Sequence, residues 1–138
     1  MKNPEVVPVE VSRLVYDESI QTPVVILKEN QGKRILPIWI GHAEASAIAY
    51  AMEGVQVERP LTHDLITRIL LGVGAKVEKI VINQLKDNTF YARIILNTDT
   101  GMVSIDARPS DSIAIALRTN APIFVSKDVM DESAREEE

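Results

Sequence analysis

Asp106-Ala-Arg-Pro-Ser-Asp111 packs two carboxylates and a guanidinium into six residues, where a strand-like run stops and an almost wholly apolar run begins. A strand end beside a helix start aims backbone N–H groups at one point, a natural place for anions. The helix dipole favours Asp111 as carboxylate there, yet the same acid competes for the donors a phosphate needs. Two carboxylates beside an arginine therefore suit a divalent cation such as Mg²⁺ with a phosphate better than a phosphate alone. Hard cations take carboxylate oxygens, and metal-assisted phosphodiester cleavage needs little more. That reading assigns Asp106 and Asp111 as metal ligands. The architectural reading is that Ser110 or Asp111 caps the helix and Arg108 pairs with an acid to fix the turn.

Two other turns carry similar residues. Arg59-Pro-Leu-Thr-His-Asp64 offers His63, whose ordinary pKa of about 6.5 suits a general acid or base at neutral pH. Asp64 would orient a base or a cation, but neighbours on a helix diverge by about 100°, so His63 and Asp64 do not serve each other. Here the architectural reading is Thr62 as N-cap with an exposed histidine. Gly41-His42-Ala43-Glu44 places Glu44 well for a helix dipole. His42 and Glu44 stand two apart and share no helical face, and a histidine there reads as a surface or cap residue. No His-Glu-x-x-His, Gly-x-Ser-x-Gly or phosphate-loop pattern occurs.

The elements around these turns follow from periodicity. Residues 6–16 read as a strand, with Pro8 suited to an edge or a strand start. Residues 23–28 and 35–40 read as a hairpin about Asn30-Gln31-Gly32-Lys33. Residues 42–53 form an alanine-rich helix ended by Gly54, apolar on most faces and so buried or at a subunit contact. Leu65, Ile66, Ile69 and Leu70 recur at helical spacing after Thr62. Strands follow at 76–85, 90–96 and 102–107, then a helix from Pro109 or Ser110 to Arg118 and a short strand at 123–125. Shifting residues 22–49 by 67 positions aligns them with 89–116; six pairs are identical, and Glu44 falls on Asp111. Both copies read strand, turn, strand, break, helix, an internal repeat of a hairpin-helix unit. Hairpins with inserted helices predict an α+β domain: a mainly antiparallel or mixed sheet with three helices packed against it.

At 138 residues the chain suits a single domain. With only six aromatic residues, the core must come from Val, Ile, Leu and Ala. The formal charge of -5 resides in residues 128–138, which hold six acids and one arginine. Residues 1–127 are the predicted domain; 128–138 read as a solvated, disordered acidic tail. The body is therefore neutral, which weighs against tight, sequence-independent DNA binding. The absence of cysteine excludes disulfides, thiol nucleophiles and Cys-based zinc sites. No apolar run reaches the ~20 residues that span a bilayer, so a soluble, cytoplasmic protein is expected. Trp39, the sole tryptophan, reads as core or interface in preference to a base-stacking platform.

Four segments together resemble the bifunctional nuclease domain family of bacteria and plants. They are Ile38-Trp-Ile-Gly-His-Ala-Glu-Ala45, Arg59-Pro-Leu-Thr-His-Asp-Leu65, Asn88-Thr-Phe-Tyr-Ala92 and Ile105-Asp-Ala-Arg-Pro-Ser-Asp-Ser-Ile-Ala-Ile-Ala-Leu-Arg118. The resemblance covers roughly residues 10–130 and implies phosphodiester hydrolysis in RNA and DNA. The matching polar positions are Glu44, Arg59, Thr62, His63, Asp64, Asp106, Arg108, Ser110 and Asp111. On this basis Asp106, Asp111, His63, Glu44 and Asp64 are the candidate catalytic residues, and Arg108 and Arg59 the candidate phosphate ligands. Asp106 and Asp111, with Glu44 or Asp64, would hold the divalent ion. The alternative is a non-catalytic binding or regulatory domain. On either reading the apolar helices suit a homo-oligomer.

Overall fold

The computed structural model describes residues 5–137. The chain runs β1 (Val6–Asp17), β2 (Thr22–Glu29), β3 (Arg34–Trp39), α1 (His42–Glu53), α2 (Thr62–Gly72), β4 (Lys76–Lys86), β5 (Thr89–Thr98), β6 (Gly101–Ala107), α3 (Pro109–Thr119), β7 (Ile123–Ser126), α4 (Lys127–Ser133) and β8 (Arg135–Glu136). The strands form one sheet in the order β6-β5-β4-β7-β1-β2-β3-β8. Every pairing is antiparallel except β4 with β7, which is parallel because α3 carries the chain back between them. The architecture is α+β with a mixed sheet, as predicted, with a fourth helix.

The repeat is structural. The strands and helices β2, β3 and α1 begin at Thr22, Arg34 and His42; β5, β6 and α3 begin at Thr89, Gly101 and Pro109, each 67 residues later. The two units are joined in the middle of the sheet through β7, which pairs with β1 on one side and β4 on the other. The β4–β5 turn takes its two residues, Asp87 and Asn88, at φ 52° and 62°. That left-handed pair matches the twist of a tight hairpin, and Asp and Asn tolerate it.

One core runs through the molecule, with Val25, Leu27, Leu36 and Ile38 from the first unit and Ile80, Ile82, Ala92 and Ile94 from the second. Val24, Ile26 and Ile35, which alternate with these, form a small separate cluster. Helix α3 packs against α1, α2, β4 and β5 and buries Ile113, Ala114, Ile115 and Ala116. Its near-total burial explains the long apolar run after Asp111. Helix α1 is less covered than its composition predicts: Ile48 alone is fully buried. Helix α2 buries no residue completely, and Leu65 and Ile69 are about half exposed.

Two expectations are corrected. The acidic segment expected at 128–138 is not a free tail over its described residues, 128–137: α4 places Val129 and Met130 in the core, and β8 pairs with β3. Two apolar side chains among acids suffice because Ser126 caps the helix, accepting from the Val129 amide at 3.3 Å. Thr62 is not the N-cap of α2. Leu61 takes that position, and Asp64 in the first turn accepts its amide proton at 3.0 Å.

Candidate functional site

The first turns of α1, α2 and α3 meet at one place. Glu44 and Asp111 each stand in the first turn of their helix, and Arg108 is the N-cap residue of α3, with Pro109 next to it. Proline at the first helical position needs no hydrogen bond and pre-sets the turn. Ser112 then closes the turn, its Oγ and amide both donating to the Arg108 carbonyl. Neither Ser110 nor Asp111 caps by its side chain. Asp111 is thereby left to act across the helix junction.

Arg108 joins the acids. Its Nε donates to Asp111 Oδ2 at 2.9 Å, with Nη2 2.8 Å from the same oxygen, and its Nη1 donates to Glu44 Oε1 at 3.2 Å. These carboxylates, Asp111 first, raise the guanidinium pKa. The bonds use three of the five N–H groups an arginine offers. The side chain is 66% exposed, so the rest of the fork faces water.

On its other oxygen Asp111 meets His63 Nε2 at 2.8 Å. His63 is only 14% exposed, so α2 and α3 hold the ring in place. With Asp111 ionised, the ring proton sits on Nε2 and Nδ1 becomes the acceptor, the orienting role a carboxylate plays for a catalytic histidine. Asp64 turns aside, as the helical angle requires. It accepts from Arg118 Nε at 2.7 Å and from the Leu61 amide, and these bonds, Arg118 first, hold its carboxyl below the usual range. Asp106 points outward: its side chain is 80% exposed and its nearest cation is Arg93, at 3.8 Å. Arg59 lies exposed in the bend before α2. His42 stands edge-on to the Tyr16 ring, 6.0 Å between centroids.

Glu44, His63, Arg108 and Asp111 border a cavity of about 620 Å³ whose wall is largely apolar, including Tyr50, Ile66, Ile105 and Ile115. Asp106 lies on its rim, and Arg118 also reaches it. Tyr50 and Arg118 were not among the expected site residues. For Arg118 the signal was present, since seven residues after Asp111 is two turns along one face of α3. Among the described residues no three His, Cys, Asp or Glu side chains stand close enough to hold a metal ion. Asp111 is committed to His63 and Arg108, and Asp106 is directed elsewhere. The expected cage from Asp106 and Asp111 is not built, and the donor set does not fit a resident divalent ion.

Comparison with known proteins agrees with the resemblance. An uncharacterised protein of Mycobacterium tuberculosis is 46% identical over 108 residues, covering 78% of this chain and 64% of that protein. Bifunctional nuclease 1 of Arabidopsis thaliana is 29% identical over 109 residues, covering 76% of this chain. The bifunctional nuclease of Oryza minuta is 24% identical over 114 residues, covering 80%. The chain spans 64% of the length of the mycobacterial relative and 34% of each of these plant relatives. The bifunctional nuclease domain model matches residues 25–138. This chain belongs to the bifunctional nuclease domain family.

Proposed function

We propose that the protein hydrolyses phosphodiester bonds in RNA and DNA at the mouth of the α1–α2–α3 cavity. The observation that carries this reading is the His63–Asp111–Arg108 chain of contacts, which joins an oriented histidine to an exposed cation. Arg108 binds the phosphate through its remaining N–H groups. His63 Nδ1 takes a proton from the attacking water as the new P–O bond forms. The bond to the leaving oxygen breaks, and that oxygen is protonated by solvent. Glu44 holds Arg108 in register. No step passes through a metal ion.

The test is cleavage of labelled RNA and single-stranded DNA by purified protein, with His63→Ala as the control and EDTA or Mg²⁺ added in separate arms. Cleavage that survives His63→Ala rules out this assignment. Loss in EDTA with recovery in Mg²⁺ makes the carboxylates ligands instead of positioners.

The second reading, a non-catalytic oligomeric binding domain, is favoured by two features. Around the cavity Glu44, Asp106 and Asp111 outnumber Arg108 and Arg118, so the rim is acid-rich and the pairs also serve as a clasp between helices. Leu61 at the N-cap and Leu65 and Ile69 on α2 form an exposed apolar row that a second copy of the chain would cover. Sedimentation equilibrium of the wild type and of Leu65→Glu/Ile69→Glu reads this directly. A wild-type monomer excludes the oligomer.

A further inference from the structure

Glu44 and Arg108 border two cavities. Beyond the one beside His63 lies another of about 320 Å³, between the end of β3, the start of β5 and the start of α3. Its wall carries an aromatic side chain in an unusual setting. Trp39 alternates with buried Ile38 on β3 yet is 47% exposed. Its Nε1 donates to Asp17 Oδ2 at 3.0 Å, while Asp17 Oδ1 accepts from the Ser19 amide and hydroxyl. The indole therefore has its only polar group satisfied and its ring held in place, with exposed apolar surface beside the cavity. Phe90 and Asn88 border the same space.

Ser110 is the second observation. It is 6% exposed, lines this cavity, and its hydroxyl makes no hydrogen bond with any described residue. Among the described residues no fully buried side-chain polar atom lacks a partner, so this oxygen opens to the cavity instead of being sealed in the core. The free hydroxyl sits in the first turn of α3, two residues from Arg108.

We propose that the smaller cavity is a second nucleotide subsite, so that single-stranded nucleic acid crosses the Glu44–Arg108 ridge. One base stacks on Trp39, and the base on the other side of the phosphate enters the apolar cavity beside Tyr50 and Ile105. Ser110 Oγ donates to the phosphate or sugar between them, next to Arg108. A duplex keeps its bases stacked on each other and cannot offer them to two cavities. Stacking on an aromatic ring is tolerant of base identity, which fits a site built from Trp39 and aliphatic walls. This inference rests on the nuclease reading for the phosphate position, but its test reads binding.

Trp39 is the only tryptophan, so its emission reports on this subsite alone. Titration with a single-stranded phosphorothioate oligothymidylate should quench it, and a duplex of the same length should quench it far less. Anisotropy of the labelled oligonucleotide should show Trp39→Ala binding about ten- to a hundredfold more weakly. Trp39→Phe, which keeps a ring and guards against misfolding, should bind within a few-fold of wild type. Ser110→Ala should bind several-fold more weakly. No quenching, equal quenching by duplex, or unchanged affinity in Trp39→Ala overturns the proposal. Quenching with no cleavage leaves the subsite standing and removes the nuclease reading; cleavage unaffected by Trp39→Ala does the reverse.

Discussion

Asp111 Oδ1 lies 2.8 Å from His63 Nε2 although 48 residues separate them in the chain. A histidine held at one nitrogen by a carboxylate has a fixed tautomer and a fixed orientation, so its other nitrogen is prepared to move a proton. His63→Ala should lower kcat by about 10²–10⁴-fold, the range of general acid–base catalysis, with KM nearly unchanged. Asp111→Asn should cost less, because an amide oxygen still accepts from the ring. Single-turnover cleavage checks both, with circular dichroism to establish that the variants fold. Equal losses in KM and kcat would point to binding instead of proton transfer.

Arg108 stands between two carboxylates that are each about one-quarter exposed or less. Arg108→Ala leaves Glu44 and Asp111 facing each other without a cation. The expected loss is about 0.5–1 kcal/mol, because Arg108 is two-thirds exposed and water screens both pairs. Adding Glu44→Gln should recover part of it, since one of the stranded charges is removed. Urea unfolding of the two single variants and the double variant measures this coupling; strictly additive effects mean the contact carries no stability.

Acid should weaken the protein through Asp64. Its carboxyl is held below the usual range by the Arg118 guanidinium first and the Leu61 amide second. The folded state thus binds fewer protons than the unfolded chain as pH falls. The stabilisation is complete above about pH 4, the ordinary aspartate value, and is lost as pH drops through the lowered folded value. Glu29, lowered chiefly by Arg34, acts in the same direction. Urea midpoints measured down a pH series should fall below about pH 4, and Asp64→Asn should be less stable at pH 7 with a shallower acid slope. Parallel curves contradict the assignment.

Met130 is fully buried in a segment whose composition is that of a solvated tail. Met130→Ala should cost about 2–5 kcal/mol, the cost of a core cavity. Removing residues 127–138 should unfold the chain under conditions where the full protein is stable. Thermal unfolding decides the matter, and a truncated protein with an unchanged Tm shows that α4 adds nothing.

Much of this molecule could be read directly from its residues. The hairpins, α1 from His42 to Glu53, the strand-to-helix break at Arg108-Pro109 and the repeat offset of 67 depend on neighbours a few positions apart. Turn chemistry, alternation and helical period act over that range. The family also follows from short motifs. What lay beyond such rules was set by packing between distant segments. Met130 is buried because β4 and β7 present a surface to α4. Glu44 and Asp111 come together because both hairpin-helix units pack α1 and α3 side by side. Asp106 and Asp111 look equivalent along the chain. Yet strand β6, at the sheet edge, turns one toward solvent and helix α3 turns the other into the junction. Direction in space depends on which element each residue terminates and on what packs against it, and only the folded chain decides that.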